Sequence, residues 1–187
     1  MLNILSKKSV LMISTIVTLI MFIVVMFIVN PSIDGKNGMG VLALQLAFDK
    51  EVGIKIISDW TQSGIENFNK FIFTDYIYAL GYSIFFSSIL SAFILKKSKQ
   101  NIAKYKFIIY LPFIAGLFDW VENTLELLFI NNPIEFSNIL FFMHSIVASL
   151  KWIALPIIII SIIKLSLVVS KVPQKRMLGN FVEVNKL

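Results

Sequence analysis

Asp119, Glu122, Asn123 and Glu126 stand in the stretch GLFDWVENTLELLF, at positions i, i+3, i+4 and i+7. On an α-helix this spacing gathers the four side chains within an arc of about 100°. The surrounding residues are apolar, so the helix reads as a membrane span. Each carboxylate turned to lipid would then cost about 2.5–3.5 kcal/mol on insertion scales. The stripe must therefore face protein or water. Downstream, Ser137, His144 and Lys151 recur seven residues apart and share a second helical stripe. Upstream, Asp75, Tyr78 and Tyr82 fall within an arc of about 60°.

The balance of charge indicates what these stripes could do. Four acids (Asp75, Asp119, Glu122 and Glu126) face one fixed cation, Lys151, and one optional cation, His144. A buried carboxylate without compensation takes up a proton or recruits a cation. The expected arrangement makes Glu122 and His144 an acid/base pair, with Asp119 oriented by Lys151. Tyr78 and Tyr82 would donate hydrogen bonds, and Asp75, Asn123, Glu126 and Lys151 would complete a binding site. Plainer readings stand beside this one. Lys151 with Asp119 could be an interhelical staple, His144 a packing residue, and Glu126 and Asp75 solvated near the surface.

Several chemistries are disfavoured. The chain has no cysteine, which removes disulfides, thiolate metal sites and C-x-x-C redox chemistry. No HExxH, GxSxG or Walker-type loop occurs. One histidine among carboxylates is short of the nitrogen and sulfur ligands that zinc usually takes, whereas an all-oxygen site suits calcium or magnesium. No motif specifies a metal or any other cofactor.

The elements that must position these residues follow from apolar run lengths. More than half of the 187 residues are hydrophobic, too many for a soluble domain of this size to bury. Runs at about 9–29, 71–95, 105–130 and 136–169 are long enough to cross the hydrocarbon core. The expected fold is a single membrane domain over 1–187: an all-α bundle of four transmembrane helices. The first run lacks an A-x-A cleavage site and reads as a retained helix. Pro112 predicts a kink near the start of the third span, and NNPIE is a tight turn. No internal repeat occurs, which disfavours a transporter built from inverted halves.

Between spans one and two, residues 31–70 are too polar to span and too apolar for a free loop. VLALQLAF alternates as an extended piece would, although so short a run does not separate strand from helix. Asp49 followed by Lys50-Glu51 predicts an N-cap. The helix after it would carry Val52, Ile56 and Trp60 on one stripe and end at Gly64. This segment is expected to lie on the outer interface.

Orientation follows from basic residues. Lys7 and Lys8 precede span one; Lys96, Lys97, Lys99, Lys104 and Lys106 separate spans two and three; Lys171, Lys175 and Arg176 follow span four. The short turn between spans three and four has none. Both termini are therefore expected in the cytoplasm of a multi-pass cell-membrane protein. The net charge of +6 is accounted for by these lysines, so nucleic acid is not an expected partner.

The turn at 131–135 makes spans three and four antiparallel neighbours, which predicts Glu122 level with His144 and Lys151 within reach of Asp119. The layout LQLAFDKEVGIKIISDW, TDYIYALGYS and LFDWVENT resembles a group of bacterial four-helix integral membrane proteins of no known activity. The likeness covers about residues 44–126, with Asp119, Glu122 and Asn123 its most specific element. It implies a bacterial inner-membrane location and lends no activity. Two functions are compatible with the residues. In one, an acidic cavity open to the outer side binds, or acts by acid/base chemistry on, a lipid or other amphipathic small molecule. In the other, the protein is not an enzyme: it handles protons or cations or binds a partner, as a homo-oligomer could. A wide apolar pocket beside the acids favours the first; a narrow wet pore favours the second.

Overall fold

A computed structural model describes residues 1–34, 39–96 and 105–170. Its regular elements are all helical, with no strand among the described residues. A short α1 (Leu2–Leu5) leads into α2 (Lys8–Val24), a π-helical turn over Val25–Val29, and α3 (Asn30–Asp34). Then follow α4 (Gly40–Gln45), α5 (Lys50–Ser58) and α6 (Gln62–Leu95). A 3-10 turn at Lys106–Tyr110 opens into α7 (Leu111–Phe129), and α8 covers Asn138–Ser170.

Lys8–Ile33, Gln62–Leu95 and Asn138–Leu167 are each long and apolar enough to cross a membrane. Only 22% of the most apolar window of the first and of the last is buried inside the protein. Their outward faces, with Ile13, Ile20, Ile153 and Ile160 about half exposed, require an apolar surrounding. α7 has 19 residues and carries the acids; Asp119, Glu122, Asn123 and Glu126 are all on its buried side. Its other side shows Ile114, Leu117, Val121 and Leu128.

α6 is the central helix: it packs against α2, α7 and α8, and α7 packs against α8. α2 and α8 form no substantial interface with each other. The close approach of α6 and α7 depends on Gly116, where an added Cβ would collide with Ser83 Oγ and lie 3.2 Å from the Ala79 carbonyl. Ser83 Oγ sits 2.9 Å from the Pro112 carbonyl, and Ser87 Oγ donates to the Ile109 carbonyl at 2.8 Å. These hydroxyls tie the start of α7 to α6. Pro112 lies in the first turn of α7, where its missing N–H leaves no gap in the ladder. It starts the helix where a kink was expected.

Residues 39–60 fold over one end of the bundle. The alternating stretch is helical, because Val41, Leu44 and Gln45 turn inward together. Phe48 takes a left-handed conformation, φ 55°, and its N–H donates to Ser145 Oγ at 3.0 Å. Asp49 caps α5 as expected, accepting from the Val52 N–H at 3.0 Å. The buried stripe runs through Gly53, Ile57 and Trp60, and Val52 is 47% exposed. The expected Val52–Ile56–Trp60 stripe is thus rotated, because Gly53 lets the Phe141 ring reach the helix backbone. Gly64 does not end α5; Asp59 does. Gly64 lies in the first turn of α6, donating to the Thr61 cap at 3.1 Å, and the Ile33 carbonyl fills the place of its Cβ. Among the residues used for orientation, Lys97, Lys99, Lys104, Lys171, Lys175 and Arg176 lie outside the described residues.

Candidate functional site

The three polar stripes converge. Lys151 Nζ lies 3.0 Å from Asp119 Oδ1, 3.0 Å from Glu122 Oε1 and 2.8 Å from Glu122 Oε2. Only the first two contacts have hydrogen-bond direction. Tyr82 donates to Asp119 Oδ2 at 2.9 Å, and Asn123 Nδ2 donates to Asp75 Oδ2 at 3.0 Å. Asp119 therefore joins α6, α7 and α8 through one carboxylate. His144 Nε2 is 3.1 Å from Glu126 Oε1.

The register differs from the expected one by a helical turn. His144 bonds Glu126, and Glu122 turns to Lys151. The connection between α7 and α8 is not a symmetric tight turn. Phe136 folds inward onto the Phe129 ring, at 4.8 Å between centroids, and α8 begins only at Asn138. That displaces His144 toward the C-terminal end of α7 by about one turn, roughly 5 Å. Glu122, Glu126 and His144 remain close, with one ligand-type atom from each within 4.8 Å of the others. Ser137 precedes the helix, is exposed and stands apart from the cluster. Glu126, expected to be solvated if near the surface, is almost fully buried.

Burial leaves some capacity unused. Among the described residues, Glu126 Oε2 and His144 Nδ1 are buried with no hydrogen-bond partner. An ionised carboxylate only accepts, so an ionised Glu126 places the imidazole proton on Nε2 and leaves Nδ1 as a bare acceptor. Phe129 and Phe141 flank the imidazole, their ring centroids 5.2 and 5.7 Å away.

Beside this network lies a cavity of about 300 Å³, in the space between α2 and α8. Its polar floor is Asp75, Asp119, Asn123, Glu126 and Lys151. Its walls are apolar, with Val25 and Val29 from the π-helical turn, Phe68 and Ile72 from α6, and Leu155 and Ile159 from α8. Tyr78 and Tyr82 line it together, their rings 5.4 Å apart. Glu122 and His144 are not among its lining residues, whereas Asp119, Glu126 and Lys151 are. Glu122 and His144 are neighbours, as expected, with ligand-type atoms within 4.8 Å of each other, but the imidazole's hydrogen bond goes to Glu126.

Part of the segment between the first two apolar runs also lines the cavity. Val41, Leu42 and Gln45 from α4 line it, and Gln45 Oε1 accepts from Trp152 Nε1 at 3.0 Å. Gln45 was detectable as the one amide inside an apolar run. The left-handed Phe48 and its bond to Ser145 carry no such signal, because both depend on how the cap lands on α8. Compared with known family models, curated proteins and solved structures, the chain matches none.

Proposed function

We propose that this chain is a four-span membrane protein whose cavity binds a lipid or other amphipathic small molecule. Its polar end would rest on Asp75, Asp119 and Glu126, and its apolar part would lie between α2 and α8. The observation that carries this reading is the single cavity joining an apolar wall to a carboxylate floor. Ligand pockets commonly combine such walls with a few convergent polar groups. A wide, mainly apolar lining favours an amphipath over a narrow ion path.

The four spans are α2 with α3, α6, α7 and α8. α7 qualifies because its acids all turn inward and its outward face is apolar. The lysine distribution favours cytoplasmic termini, which puts α4 and α5 on the outer interface as a cover for the cavity. The resemblance noted above favours a bacterial inner membrane. Where proton transfer takes place, Glu126 is the group in contact with the ligand, and His144 is a positioning residue behind it. Asp119 and Glu122 hold Lys151. Mass spectrometry of the protein released intact from nanodiscs tests the binding. Val25→Trp and Leu155→Trp, which fill the cavity, should each lose a lipid-like adduct that the parent retains. An adduct equally abundant in folded V25W and L155W proteins would overturn the proposal.

A further inference from the structure

The joint between α4 and α5 is strained. Phe48 has a φ of 55°, and the Asp49 N–H bonds back to the Ala47 carbonyl at 2.6 Å. An i→i+2 bond around a residue of positive φ is the rare, strained form of γ-turn, and a bulky side chain at its centre is an outlier. Such conformations persist only where the surroundings hold them, and they cluster at ligand clamps and switch segments. We infer that α4 is a lid over the cavity, hinged at Phe48 and latched to α8 by the Gln45–Trp152 and Phe48–Ser145 bonds. This rests on the cavity taking up a ligand from outside.

The latch is small and polar. Gln45 Oε1 accepts from Trp152 Nε1, and Ser145 Oγ accepts from the Phe48 N–H, each at 3.0 Å. Both bonds land on α8 beside the charged cluster. Ser145 follows His144, and Lys151 Nζ stands 5.3 Å from the centre of the Trp152 ring. Val41, Leu42 and Gln45 are the residues that α4 sets on the cavity. Turning Phe48 to negative φ relieves the joint, breaks the bond to Ser145 and carries Gln45 away from Trp152. Strain and latch therefore oppose one another. Closure also buries Val41 and Leu44 in one core cluster with Ile57 and Phe68, which makes the open form the minor state. Beyond the joint, Trp60 stacks on Phe68 with centroids 6.0 Å apart and anchors the end of α5. Hinges of moving lids are commonly a few residues at the ends of elements, the place that Phe48 occupies.

The test follows Ile72→Cys, at a position that lines the cavity and is 6% exposed, in the full-length protein in phosphatidylcholine nanodiscs. Its reaction with a charged, water-soluble methanethiosulfonate is timed by mass spectrometry of the intact chain. Trp152→Phe and Ser145→Ala each remove one latch bond, and each should speed the reaction about two- to tenfold. The two changes together should multiply. Ile158→Cys, at a fully buried position in the other core cluster, reports unfolding and should keep its parent rate in every variant. An Ile72→Cys rate unchanged by both W152F and S145A would overturn the lid, and so would equal acceleration at Ile158→Cys. Labelling by bilayer-soluble N-phenylmaleimide alone, at a rate indifferent to the latch, would also overturn it and make the gap between α2 and α8 the entrance. No ligand enters this measurement, so its failure is distinct from failure of the adduct test.

Discussion

His144 Nε2 lies 3.1 Å from Glu126 Oε1 across the interface of α7 and α8, while Glu122, one turn deeper along α7, belongs to Lys151. The two halves of the cluster thus have different exposure to the cavity. Glu126 is among the residues that line it, whereas Glu122 is not and pairs with Lys151. This division separates residues expected to alter ligand binding from residues expected to alter folding.

Lys151→Met should be among the most destabilising single changes. It strands Asp119 and Glu122, both buried, and breaking a buried pair from one side costs roughly 3–5 kcal/mol. The triple variant D119N/E122Q/K151M should recover much of the loss. Unfolding in mixed micelles measures both, and a K151M protein as stable as the parent would contradict the assigned network.

Gly116→Ala should loosen α6 from α7. The new methyl meets Ser83 Oγ, and overpacking of this kind costs about 1–3 kcal/mol. Removing the obstructing hydroxyl in the pair S83A/G116A should return part of it. The same micelle assay resolves the comparison, with additivity of the two changes counting against a direct collision.

Ser145→Ala should release the cap without disturbing the bundle. The Phe48 N–H loses its acceptor, and a partly buried hydrogen bond of this kind is worth about 0.5–1.5 kcal/mol. Hydrogen exchange should quicken across residues 40–58 and stay unchanged in the middle of α6. Uniform quickening throughout the protein would show that Ser145 serves the whole fold.

The proposed orientation can be read by labelling, since the chain has no native cysteine. Asp59→Cys, at the exposed end of α5, should react with an impermeant maleimide on intact cells. Lys99→Cys should react only after the cells are opened. The reverse pattern would invert the topology.

By itself the sequence determined the helical class, the apolar runs at about 9–29, 71–95 and 136–169, which the structure shows as helices over Lys8–Ile33, Gln62–Leu95 and Asn138–Leu167, and the polar stripes. These depend on run length and on a periodicity of 3.6, which are local properties of the chain. The Asp49 cap was legible for the same reason: a side chain bonding a backbone N–H three residues on needs no distant partner. The partner of His144 was not legible. It depends on how far α8 slides along α7, and that is decided by Phe136 packing onto Phe129. The polar stripes led to the expectation of an acidic cavity, but its place and apolar walls were not legible, because they arise where α2 and α8 both pack toward α6 without meeting. Helix faces are written in spacing, whereas register and empty space are settled by side-chain volumes meeting across helices.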